Sequence, residues 1–97
     1  MTKAIRFLMK IVIPTPVENP SAADANFNGM LQDMFRQLGA LAAYARMEDG
    51  RRVEYVLLAL EPAQITPAAE RVFRLLQAKP EFLPEVVPQP YYGRSGY

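Results

Sequence analysis

The chain has 97 residues, 11 basic and 10 acidic, a formal net charge of +1 and 51% hydrophobic residues, the balance of one small folded domain. Charge so evenly interspersed leaves no electrostatic footprint for a phosphate backbone or an anionic membrane, so neither nucleic acid nor membrane is expected as a partner. The chain contains no cysteine and no histidine, which removes thiolate nucleophiles, disulfides, the usual zinc ligands and the commonest general base near neutral pH; no cofactor, haem, zinc or triad mechanism is expected.

The first apolar segment, AIRFLMKIVI, is rich in β-formers and stops at Pro14 and Pro16, which cannot donate to a strand ladder, so residues 4–13 read as strand one. At about ten residues this segment is too short for a spanning helix. It is interrupted by Lys10 and lacks a small-residue cleavage site, so no signal peptide is expected and a cytoplasmic location is the default. A proline-rich loop follows, offering Ser21 or Asp24 as a helix cap. Phe27, Met30, Leu31, Met34, Phe35 and Leu38 then recur at three- and four-residue intervals, the stripe of helix one, with Gly39 as its left-handed stop. Gly29 inside that helix suggests either close packing or a poor helix start.

Residues 41–47 and 52–60 flank Asp49-Gly50, a pair suited to the positive φ angles of a tight hairpin, so strands two and three are antiparallel neighbours. The chain turns at Glu61-Pro62, and Thr66-Pro67 reads as the cap and first residue of helix two, with Ala69, Val72, Phe73 and Leu76 as its apolar stripe. EFLPEVV is a short fourth strand that Pro84 confines to an edge or a bulge. The expected domain covers residues 1–88, and the Pro, Gly and Tyr rich segment 89–97 reads as a surface tail.

This order, β-α-β-β-α-β, is the split βαβ pattern of ferredoxin-like α+β folds: a four-stranded antiparallel sheet with two helices on one face. Strand one is apolar on both faces, with Ile5, Phe7, Met9, Ile11 and Ile13 on one and Leu8 and Val12 on the other. Strand three likewise sets Val53, Tyr55 and Leu57 against Val56, Leu58 and Leu60. One helix layer cannot cover both faces, and a second copy of the sheet is the economical cover, so a homodimer around a shared cavity is expected.

The element order, the first strand ending in IPTP, the AAYARMEDGRR hairpin and the segment PAQITPAAERVF together resemble the small dimeric α+β barrel proteins over roughly residues 4–88. That superfamily includes cofactor-independent antibiotic-biosynthesis monooxygenases, YCII-like proteins and some polyketide cyclases. The resemblance implies a sheet-on-sheet dimer with a small-molecule cavity. The YCII-like members imply a histidine and aspartate pair, and this chain has no histidine.

A two-residue turn sets Tyr44 opposite Tyr55, Arg46 opposite Val53 and Ala42 opposite Leu57 on one face. The other face carries Ala43, Ala45, Val56 and Leu58, suited to lie under helices, with Glu54 near the edge. Arg6, Leu8, Lys10 and Val12 share the cavity side of strand one, and Glu81, Leu83, Glu85 and Val87 are their counterparts in strand four. Lys10 and Tyr44 are the candidate catalytic contacts. Arg46, Tyr55, Glu85, Leu8 and Leu57 are the candidate ligand-binding residues. Such a cavity suits a planar, partly anionic molecule, with Lys10 and the tyrosine hydroxyls stabilising an enolate or phenolate. Three functions fit: a metal-free and haem-free cyclase, isomerase or cofactor-independent oxygenase on an enolisable or phenolic substrate; a non-catalytic binding or dimerisation module; or a small subunit that docks onto a larger enzyme through the exposed edge. In the plainer assignment the tyrosines are a cross-strand aromatic pair and Lys10 pairs with Glu85. The EDGRR charges read as a solvated turn. Tyr91 or Tyr92 of the tail is a candidate cap on a partner's cavity.

Overall fold

The computed structural model describes residues 4–84. Its elements are β1 (Ile5–Val12), a 3₁₀ turn at Pro20–Ala23, α1 (Phe27–Gln37), β2 (Ala42–Glu48), β3 (Arg51–Leu60), α2 (Pro62–Leu76) and β4 (Glu81–Pro84). The strands form one sheet in the order β2-β3-β1-β4, and every neighbouring pair is antiparallel. Two helices with a four-stranded antiparallel sheet make an α+β fold compatible with a ferredoxin-like arrangement. The expected Glu85, Val87 and the 89–97 tail lie outside the described residues.

The hairpin forms as its turn chemistry dictates. Asp49 and Gly50 take φ of 52° and 74°, which fixes the register at Tyr44 opposite Tyr55, Arg46 opposite Val53 and Ala42 opposite Leu57. Gly39 ends the first helical segment at φ 79°, and Phe27, Leu31, Met34 and Phe35 are the buried stripe of α1. Asp24 accepts a hydrogen bond from the Asn26 N–H at 2.7 Å, but the cap position itself is Asn26, and the expected Ser21 lies in the preceding 3₁₀ turn. A Cβ on Gly29 would meet nothing within 4 Å, so no close approach requires that glycine.

Helix two begins a turn earlier than Thr66-Pro67 implied. Glu61 is its cap, accepting from the backbone of Gln64, while the Gln64 side chain accepts from the Glu61 N–H at 2.8 Å, with Pro62 at the first helical position. That reciprocal pair outweighs Pro67, whose missing N–H falls inside the helix. The buried stripe is accordingly Ala68, Val72 and Leu76, with Ala69 half-buried and Phe73 43% exposed. At 3.6 residues per turn Phe73 stands about 100° round from Val72, past the margin of the buried stripe.

The core lies between the helices and one face of the sheet. Met9, Ile11 and Ile13 of β1 and its continuation, and Val56, Leu58 and Leu60 of β3, pack with Phe27, Leu31, Met34, Phe35, Ala68, Val72 and Leu76. No β2 residue belongs to this cluster. Ala43 and Ala45, expected beneath helices, are exposed, because the helix layer covers β1 and β3 and stops short of the edge strand. Glu54 is not at an edge: it is 3% exposed on an interior strand and takes the Arg52 guanidinium at 2.7 Å. Arg52 also donates to Asn28 at 2.7 Å, so the pair anchors the start of α1 to β3.

Candidate functional site

The register arranges the face away from the helices in rows across the sheet. Ala42, Leu57, Leu8 and Leu83 form one row, Tyr44, Tyr55, Lys10 and Glu81 the next, and Arg46, Val53 and Val12 the third. The expected residues Leu8, Lys10, Tyr44, Arg46, Tyr55 and Leu57 therefore share one face. The first row is aliphatic, the second aromatic and charged, and the third mostly aliphatic again. Alternation along each strand produces this, since the same strands that send Met9, Val56 and Leu58 into the core must send Lys10, Tyr55 and Leu57 outward.

Glu48 is the hub of the charged part of this face. The Tyr55 hydroxyl donates to Glu48 Oε2, and Lys10 Nζ stands 3.7 Å from Glu48 Oε1. To reach Glu48 from a position opposite Tyr44, the Tyr55 side chain extends along the sheet past the Arg46–Val53 pair that separates them in the register. Val53 is correspondingly 2% exposed on a face that no helix among the described residues covers. Tyr44 stacks on Tyr55 with ring centroids 5.1 Å apart and planes at 14°, an offset pairing favoured by ring quadrupoles. Tyr44 itself is 51% exposed.

These contacts hold two groups in opposite protonation states. The hydrogen bond from Tyr55, aided by the charges of Lys10 and Arg46, lowers the Glu48 pKa against the effect of burial. The hydrogen bond to Glu48, with burial and the Glu48 charge, raises the Tyr55 pKa. Near neutral pH Glu48 is therefore a carboxylate and Tyr55 a phenol. The pair is a fixed donor and acceptor, and neither group is poised to exchange a proton there.

The structure corrects the reading of EDGRR as a solvated turn. Glu48 is half-buried and doubly engaged, Arg51 donates to the Ile13 carbonyl at 3.0 Å and to Glu18 at 2.7 Å, and Arg52 bonds Glu54. Only Asp49 and Gly50 are left as exposed turn residues of this segment. Within the described residues Lys10 pairs with Glu48; the expected partner Glu85 lies outside them. A signal for Glu48 was present in the sequence: it shares the parity of Tyr44 and Arg46 on β2, hence their face. Its contact with Tyr55 was hidden because it runs diagonally across the ladder.

Among the described residues no three acidic side chains gather as a metal site, and no helix is long and apolar enough to cross a membrane. A cleft of about 440 Å³ lies on the helix layer, bordered by Ala69, Glu70, Phe73, Arg74, Lys79 and Pro80, away from the open sheet face. Comparison of the chain with protein-family models, with curated proteins and with solved structures finds no match.

Proposed function

We propose that the open face is where two copies of the chain meet, in the manner of the dimeric α+β barrels, and that the pair encloses a small, planar, partly anionic organic molecule. The observation that carries this reading is the Lys10–Glu48–Tyr55 cluster set between aliphatic rows on a face without helices. Leu8, Leu57 and Val12 supply apolar surface whose burial requires a cover. Lys10 and Arg46 bring two cations beside the Glu48 carboxylate, and Arg46 forms no ion pair with any described residue, so an anionic group on the ligand would have a partner beside the tyrosines. Glu81, opposite Lys10 on β4, is exposed and forms no ion pair with any described residue.

Roles follow from what each side chain already holds. The Tyr55 hydroxyl is committed to Glu48, so Tyr55 serves as a wall. The side chains of Tyr44 and Arg46 make no hydrogen bond to a described residue, which leaves the Tyr44 hydroxyl and the guanidinium to meet a ligand. Lys10 retains donors beyond its long contact with Glu48. Turnover of an enolisable or phenolic substrate, as cyclase, isomerase or cofactor-independent oxygenase, would fall to Lys10 and Tyr44. The alternative, binding or dimerisation without chemistry, is favoured by one observation: Glu48 and Tyr55 are both shifted away from neutrality, the wrong direction for acid-base work.

The test is an NMR titration of the full chain with phenolic carboxylates, 4-hydroxybenzoate first. The proposal expects shifts at Lys10, Tyr44 and Arg46 that weaken at least tenfold in affinity in Lys10→Ala. Perturbation confined to the cleft beside Phe73 would place the ligand elsewhere and sink the reading. If Lys10→Ala and Tyr44→Phe leave binding and turnover unchanged while Leu8→Asp abolishes the dimer, the non-catalytic alternative stands.

A further inference from the structure

The edge strand β2 presents backbone groups beyond the sheet, apart from the open face. Its ladder to β3 occupies only one of its two rows of backbone groups. The two-residue turn makes Glu48 and Arg51 the hydrogen-bonded pair that closes the hairpin. Alternation then turns the N–H and C=O groups of Tyr44, Arg46 and Glu48 toward β3, and those of Ala43, Ala45 and Met47 outward. The other side of β3 gives the same parity. Ile13 N–H donates to the Arg52 carbonyl at 2.9 Å, so the even residues of β3 bond toward β1 and the odd ones toward β2.

Edge strands are ordinarily guarded by proline, a bulge, inward charge or a covering element. The outward row here is Ala43, Ala45 and Met47, without proline, glycine or charge, and all three are exposed, Met47 at 69%. We propose that β2 pairs antiparallel with β2 of a second copy about a two-fold axis at Ala45. The sequence AAYARME is self-complementary about that residue. Ala45 meets the partner's Ala45, Ala43 meets the partner's Met47, and Tyr44 meets the partner's Arg46.

Each of these pairs has a physical reason. On the helix side a long flexible methionine lies over an alanine twice, and the central alanines let the backbones approach without a clash. On the open side each guanidinium stands directly opposite a tyrosine, at a cross-strand Cβ separation of about 5 Å, within reach of a cation–π contact. Backbone parity admits only axes centred on a residue, and the registers nearest to Ala45 have their axes at Tyr44 or Arg46. An axis at Arg46 places two guanidinium groups opposite each other, and an axis at Tyr44 leaves Met47 and Glu48 beyond the partner strand. The pairing at Ala45 uses the whole strand and adds about six backbone hydrogen bonds, two for each of three bonded pairs.

Molar mass by light scattering decides this, with Leu8→Asp used to remove association through the open face. The edge pairing predicts that Leu8→Asp is still a dimer, twice 10.9 kDa, and that adding Met47→Lys or Ala45→Pro halves its mass with the far-UV spectrum unchanged. Proline at 45 deletes only an outward N–H. Met47 is exposed in the single chain, so a Met47→Lys mass equal to its parent overturns the pairing even where the proline variant misfolds. A monomeric Leu8→Asp beside a dimeric wild type overturns the edge and leaves the open-face dimer standing. A Leu8→Asp mass equal to wild type, halved by Met47→Lys, supports the edge and rejects the open-face dimer.

Discussion

Leu57 and Leu58 are neighbours on β3 with different surroundings. Leu58 is fully buried beneath the helices with Met9, Val56 and Leu76, while Leu57 is half-buried in a row with Leu8, Ala42 and Leu83 on the open face. The same side chain one residue along thus reports two kinds of environment. The helix-side face is completed by the chain's own core, and two helices supply enough apolar surface to cover β1 and β3. The open face carries comparable leucines and valines but interrupts them with Lys10, Glu48 and the tyrosines, a mixture that a self-sufficient core would exclude. One face is built for folding, and we assign the other to association and binding.

Substitution at the two leucines breaks that comparison most strongly. Leu58→Ala is expected to cost about 2–5 kcal/mol, by loss of buried methylenes and the cavity left behind, measured as a fall in the urea midpoint at every protein concentration. Leu57→Ala is expected to cost less, and its cost is expected to shrink on dilution, because the burial it loses is supplied by a second copy. Equal, concentration-independent losses at the two sites would show that the open face needs no partner.

A middle-sized effect distinguishes the charged cluster from ordinary surface. Tyr55 has its folded pKa raised above the ordinary tyrosine value of 10.0 by the hydrogen bond to Glu48, so its contribution to stability is full below that value and is lost as pH rises through the folded pKa. Glu48 has its folded pKa lowered below 4.5 by the same bond, so its contribution is present above that value and is lost as pH falls through the folded pKa. An ultraviolet titration is expected to show Tyr55 ionising at higher pH in the wild type than in Glu48→Gln. Identical titration curves for the two proteins would remove the cluster from the account.

The smallest expected effect lies on the helix side. Gly29→Ala should stabilise by about 0.5–1 kcal/mol, since alanine restricts the unfolded chain and favours helix while its Cβ enters open space. A destabilised Gly29→Ala would reveal a close approach at α1.

The parts of this structure that local chemistry dictates could be read from the sequence. Asp49-Gly50 admits one register, and that register placed Tyr44 against Tyr55 and assembled most of the open-face residues. The three- and four-residue spacing from Phe27 to Leu38 gave α1 its buried side, and Gly39 its end. What could not be read depends on contacts between distant elements. Glu61 is an unusual helix cap, and its pairing with Gln64 hid the true start of α2 behind the more familiar Thr66-Pro67. The exposure of Ala43 and Ala45 depends on how far the helix layer extends, which no strand periodicity encodes. Glu48 went unrecognised because its partners lie diagonally across the ladder, and Glu54 because its burial depends on Arg52 and on α1.

The central claim is that the open face is covered by a second copy, and the most direct measurement is the light-scattering molar mass of Leu8→Asp beside wild type. Leu8 is half-buried at the middle of the aliphatic row, where a carboxylate would be desolvated by an opposing sheet but tolerated in an open one. The account predicts half the wild-type mass with the fold retained. An unchanged mass would contradict it.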